Sequence, residues 1–281
     1  SDPKEFRYLP DRHSEVGYIS FFLNSSLYYS YRMGKVSIHG EMASDRHLSP
    51  AMVNRISYHV HPLWKLCFVW RYYSPGYFAP YASAFSESAD IRNEKGFYIG
   101  TDFYPHSFLN IRAYMDFYSF PWLRYNDHVR QSGADMVLLA RWQRKPELIL
   151  KGFLKMESTH PRESAGTKFQ YRLQVDYQSG PFLSFRTRLE QKRSTTKERG
   201  KIPPGTLAFQ ELGISLVKPD LKLYLRYTLF NIPEWDHRIY SWEHDVLYSF
   251  STLSYYRQGQ SVLASLRWKP GDKWSIGLKY S

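Results

Sequence analysis

Few side chains in this sequence are placed for catalysis. His59 and His61 stand two apart, a spacing at which two imidazoles on one strand face could hold a metal ion. No carboxylate or thiol stands at ligand spacing beside them, so a structural pair at a strand end is the stronger reading. His237 and His244, near Asp236 and Asp245, offer the one cluster from which a histidine base and an orienting carboxylate could be drawn. Neither a nucleophile-elbow serine motif nor a glycine-rich phosphate loop accompanies it. The single Cys67 excludes an internal disulfide framework and reads as a small apolar residue in a strand. Neither enzymatic activity nor a cofactor is expected.

Positive charge is the other chemical resource: 38 Lys and Arg against 26 Asp and Glu give a net charge of +12. The residues expected to share one polar interior include Arg71, Arg112, Arg141, Lys151, Lys155, Arg172, Arg186, Arg188, Lys222, Arg226 and Arg267. Asp102, Asp116, Glu157, Asp176, Glu190 and Glu211 fall on the same side. Two uses stay open. These groups form cross-strand ion pairs, each worth roughly 0.2 to 1 kcal/mol, or the surplus of arginine makes a positive path for an anionic solute or a phosphate backbone. Two aromatic loops add a second feature: Tyr72, Tyr73, Pro75, Tyr77, Phe78 and Tyr81 in one, Phe120 and Trp122 in the other. So many rings on a solvated loop require either a plug folded inward, the favoured reading, or a surface for a partner or for stacking nucleobases. The basic run 191–201 reads as a solvated tip or a contact for polyanions.

The elements that would position these groups follow from a period of two. Phe169, Tyr171, Leu173, Val175 and Tyr177 alternate with Lys168, Gln170, Arg172, Gln174 and Asp176. The same alternation runs through 109–117 and 221–229. Seven short turns bearing Gly or Pro separate such segments: 33–35, 61–64, 105–107, 144–146, 178–181, 218–220 and 269–272. Longer connections lie at 73–95, 118–134, 159–166, 195–205 and 233–259. The pattern predicts about 14 antiparallel strands, at 17–32, 35–44, 49–60, 65–73, 96–104, 109–118, 135–143, 147–158, 167–177, 182–193, 206–217, 221–231, 260–268 and 273–280, with a β-prone stretch at 245–251 inside a folded loop.

This is the signature of an all-β, antiparallel transmembrane β-barrel. Aromatics are 18% of residues and mean hydropathy is −0.52. No run approaches the roughly 18 apolar residues of a membrane helix, and Tyr and Trp suit the interfacial belts. The expectation is one barrel domain over 1–281, with 1–16 an extracellular segment or loop. The polar start points to a mature or internal fragment. If all short turns are periplasmic, both ends lie outside, so the barrel is expected to be incomplete at both ends and part of one of 16 or more strands. The competing explanation is a first segment that forms a plug, or one strand miscounted at each end.

Several stretches together resemble a known family: 71–77, 84–88, 93–100, Phe120-Pro121-Trp122-Leu123-Arg124-Tyr125, 243–251 and Arg267-Trp268-Lys269-Pro270. They are similar to the C-terminal barrel of Bacteroidetes outer-membrane proteins that carry an N-terminal helix-hairpin-helix region like that of DNA-uptake proteins. The likeness covers roughly residues 12 to 281 and implies a link to nucleic acid and further strands after Ser281. No Gly-bearing helical hairpin occurs in this sequence, and no site residue carries over. The expected function is therefore a bacterial outer-membrane barrel in a lipid bilayer. It would transport or anchor a macromolecule, DNA among the candidates, beside another protein chain or the strands that close it. The alternatives are a passive, mildly anion-selective porin, and an accessory barrel subunit of a secretion or nutrient-uptake complex.

Overall fold

A computed structural model describes residues 23–124, 128–160, 166–196, 202–247, 252–271 and 274–281. Fourteen strands form one antiparallel sheet in chain order, interrupted once: β1 Asn24–Met33, β2 Val36–Asp45, β3 Pro50–His61, β4 Trp64–Tyr73, β5 Glu94–His106, β6 Leu109–Ser119, β7 Ser132–Lys145, β8 Leu148–His160, β9 Gly166–Ser179, β10 Leu183–Thr196, β11 Gly205–Leu216, β12 Asp220–Ile232, β15 Arg257–Gly271 and β16 Trp274–Tyr280. The interruption holds β13 Ile239–Trp242 and β14 Thr252–Tyr255, paired as a separate two-stranded sheet, after a 3-10 turn at Trp235–His237. The fold is thus all-β with almost no helix. Among the described residues β1 and β16 end the strand order, and no ladder joins them. No helix there is long and apolar enough to cross a membrane, which has no bearing on crossing by strands.

The expected strands are all present, most of them a few residues longer at the ends. Residues 17–22 of the first expected strand, the segment 1–16, residue 273 of the last expected strand, and parts of the stretches at 118–134, 159–166, 191–201, 245–251 and 269–272 lie outside the described residues. Strand structure in the 233–256 excursion falls on 239–242 and 252–255, on either side of the expected stretch at 245–251. The short turns form where a residue tolerates a positive φ or sets one: Gly34 has φ +55° and Gly180 φ +64°.

Compactness divides the chain into two units: 1–103, 112–137 and 157–166 in the first, 104–111, 138–156 and 167–281 in the second. In the first, the row Tyr31, Ile38, Ile56, Phe68 and Ile99 runs across β1 to β5, apolar throughout. In the second, Leu183, Ile214, Leu223, Leu266 and Leu278 do the same across β10, β11, β12, β15 and β16. These apolar faces are the accessible ones: Tyr31 is 60% exposed and Leu278 61%. The opposite, charged faces carry the buried groups, and there Arg71 is 0% exposed and Arg226 2%. This inverts the usual arrangement of a water-soluble protein, where charge is outside and unpaired charge is almost never buried.

At Gly40 a side chain cannot be accommodated. The Tyr29 hydroxyl donates to the Asn54 side-chain amide oxygen across it, and an added Cβ would overlap both side chains. Gly152 has only ordinary contact with the Ala140 methyl. Gly40→Ala is therefore expected to lower stability by about 1 to 3 kcal/mol. Gly152→Ala is expected to change it by less than about 0.5 kcal/mol. Chemical unfolding of both variants checks the contrast.

Candidate functional site

In the second unit the charged face is a continuous network of ion pairs. The Arg172 guanidinium meets Glu190 at 2.7 Å, Lys151 Nζ and Arg186 Nε each meet Asp176 at 2.7 Å, and Arg186 also reaches Glu211 at 3.3 Å. Arg188 donates to the Gln174 amide oxygen and stands 3.9 Å from Glu190, and Arg226 donates to Glu211 at 2.5 Å. Among the described residues, five cations thus share three carboxylates. Alternation along β9, β10 and β12 puts these groups on one side, and the registers Arg186↔Glu211 and Glu211↔Arg226 set opposite charges directly across from one another.

The excursion between β12 and β15 lies back over this face. Near the end of β12, Leu207, Phe209 and Ile232 are sealed by Ile239 and Tyr255 from the β13–β14 pair. Deeper, Arg226 donates to the Trp242 carbonyl at 2.8 Å and to Ser241 Oγ at 3.3 Å. His244 stacks on Tyr224 with ring centres 3.5 Å apart and its Nε2 lies 3.3 Å from Glu211. Glu243 accepts from the Tyr255 hydroxyl and pairs with Lys279, which also meets Asp245 at 3.3 Å. Val246 rests on Gly277, where a Cβ would stand 3.2 Å from its methyl. Since Tyr224 is eight residues before the end of β12, the segment reaches about 26 Å along that strand at roughly 3.3 Å per residue.

The first unit repeats the plan. Arg71 donates to Glu94 at 2.6 Å and to both oxygens of Asp116 at 2.7 and 3.1 Å, with its guanidinium 4.8 Å from the Phe85 ring centre. Glu94 also accepts from the Glu87 and Ser88 amides, so the 74–93 connection is bound to the same carboxylate. Asp45 accepts from His47, Ser49 and Phe78 amides, and Asn93 exchanges two hydrogen bonds with Trp122. Ala51, Tyr73 and Tyr77 form a small apolar seal above.

The residues singled out in sequence thus fall partly in these two networks and partly outside them. Arg112 pairs with Asp102 at 3.4 Å and Arg141 donates to Gln143, both exposed. Lys155 and Glu157, both on β8, each have a partner, while Lys222 and Arg267 face each other across β12 and β15. In the aromatic loops Tyr73, Tyr77 and Phe120 are buried and Tyr72, Pro75, Phe78 and Trp122 half-buried, whereas Tyr81 is exposed. The histidines do not converge. His61 Nδ1 accepts from the Leu63 amide, and the register shifts between His59 and His61. His237 donates from Nδ1 to the Pro203 carbonyl and accepts from Ser194 at Nε2, far in role from His244. No three metal-ligating side chains gather among the described residues.

No family model matches the chain, and no curated protein matches it in sequence. The resemblance drawn from its motifs rests on those residues alone. Sequence reasoning did not find Glu94, Tyr224, Glu243 and Lys279 as members of the networks. Lys279 faces the charged side at the far end of the sheet, and only the register Lys279↔Ser265 and Ser265↔Tyr224 brings it level with the folded segment.

Two outcomes follow. Arg226→Met leaves Glu211 short of its main partner and frees the Trp242 carbonyl, so it is expected to cost about 3 kcal/mol and to raise amide exchange in 239–247 more than elsewhere. Burial holds His237 below its ordinary value of 6.5. The unfolded state therefore binds more protons just under that value, and stability of this corner falls as pH drops through the window below 6.5. Amide exchange of 235–239 against pH, with His237→Gln flattening the dependence, reads it.

Proposed function

We propose that this chain is the barrel portion of an outer-membrane protein that anchors or moves a macromolecule, with a folded-back connection lying over the charged face of each unit. The observation that carries the reading is the inversion of polarity. Leu225, Tyr227 and Leu229 on β12 are exposed while Arg226 and Thr228 between them are buried, an arrangement that a hydrocarbon surrounding makes favourable. Short turns at one end of the sheet and long connections at the other support the same orientation as in bacterial barrels. Strands beyond these, supplied by this protein or by a partner, would complete the closure.

The bound segment 239–247 supports a plugged barrel over an open pore. The surplus of 38 Lys and Arg over 26 Asp and Glu in the sequence supports a polyanion, DNA by the motif resemblance, as the macromolecule handled. A passive anion-selective pore is the second reading, favoured by the same surplus.

Leu225→Arg separates a lipid surface from a wet one. Facing hydrocarbon near mid-depth, it costs about 2 to 4 kcal/mol; facing water, an exposed position changes stability by less than about 0.5 kcal/mol. Urea unfolding from vesicles gives the answer. In planar bilayers the wild type is expected to conduct little and Arg226→Met to open, whereas steady wild-type conductance indicates the passive pore. Retention of duplex DNA that weakens steeply with salt supports the polyanion, and absence of retention at low salt removes DNA from the account.

A further inference from the structure

The apolar face of the second unit is interrupted by a concavity of about 950 Å³, whose lining also takes in Arg172, Glu190 and Leu207, residues that alternation assigns to the opposite, charged side. Two cross-strand rows line it. Leu189, Ala208, Leu229 and Gln260 face one another across β10, β11, β12 and β15. One step nearer the long connections stand Gln191, Thr206, Asn231 and Gln258. Tyr171 and Leu173 of β9 close the side. The hollow exists because β11 contributes only Ala208 and Thr206 where its neighbours carry leucines and long amides. Its floor is apolar, with Leu173 and Leu189 exposed, and its rim is a row of three amides and a hydroxyl.

That zoning describes an amphiphile lying along the strands. The rim row itself is neutral, the exposed Arg193 standing one pleat beyond Gln191 on the same face: each amide both donates and accepts, as sugar hydroxyls do, whereas a phosphate head would call for Arg or Lys within the row in a charge-assisted pair. The Gln191, Asn231 and Gln258 side chains make no hydrogen bond of their own among the described residues, and Gln260 already accepts from the Tyr227 hydroxyl at 2.7 Å. The volume falls within the roughly 300 to 1,000 Å³ usual for a ligand site. We propose that this hollow binds one glycolipid, with an acyl chain along Leu173, Leu189, Ala208 and Leu229 and the sugar against the Gln191–Thr206–Asn231–Gln258 row. The inference rests on the membrane reading above and adds the identity of a lipid that the face selects.

The test uses the whole chain in nanodiscs of phosphatidylglycerol containing a small fraction of monoglucosyl diacylglycerol, with retained lipids counted by native mass spectrometry. The wild type is expected to retain one glucolipid in preference to phosphatidylglycerol. Ala208→Trp, which fills the floor, is expected to lower that retention at least tenfold. The pair Asn231→Leu and Gln258→Leu, which leaves the floor intact, is expected to keep a lipid but lose the preference for the sugar. Equal retention by wild type and Ala208→Trp, or equal retention of the two lipids by the wild type, overturns the glycolipid site while leaving the membrane reading standing. Failure of the wild type to enter nanodiscs overturns both.

Discussion

A guanidinium withdrawn from water must be met by oxygen on nearly every N–H, and that demand organises each unit. Arg71 is fully buried between Glu94 and Asp116, and Arg226 between Glu211 and the carbonyl of Trp242. The cost of stripping an ion of water is several kcal/mol, and only good geometry with every donor satisfied offsets it. Each arginine therefore imposes two conditions. Neighbouring strands must hold a register that places a carboxylate opposite it. A long connection must also fold back far enough to exclude water, bringing the Glu87 and Ser88 amides to Glu94 and the Trp242 carbonyl to Arg226.

The same requirement accounts for the apolar face. Because alternate residues of a strand point to opposite sides, charge on one side leaves leucine and tyrosine on the other, accessible along whole rows of the sheet. In water such rows would be an aggregation hazard. In hydrocarbon they are the favourable surface, and under the proposed function the charged side is where a polyanion would be handled. Function in this reading follows from polarity laid across the sheet, with the folded segment as the element that closes or releases it.

Much of this plan is legible in the residues themselves. Alternation in 169–177 and 221–229, and Gly or Pro at the turns, are local signals, and they locate the strands and the shared side of Arg172 and Arg226. The fold-back is not local. Arg226 binds a carbonyl sixteen residues on, Glu211 meets His244, and Lys279 joins only because β16 follows β15 in the order. Glu94 escaped notice since its neighbours read as loop. The irregularity in pairing between His59 and His61 is likewise not something a count of residues reveals. The hollow beside Ala208 depends on what stands across four strands, so single-strand reading passes over it.

The central claim is that the face of Leu221, Leu223, Leu225, Tyr227 and Leu229 meets lipid. Its most direct test is a spin-label scan of residues 221–229 on a Cys67→Ser background in vesicles, comparing relaxation by oxygen dissolved in the bilayer with that by a water-soluble nickel chelate. Oxygen should dominate at 221, 223, 225, 227 and 229 and not at 222, 224, 226 and 228. Nickel relaxing labels at 223, 225 and 227 as strongly as oxygen does would contradict the account.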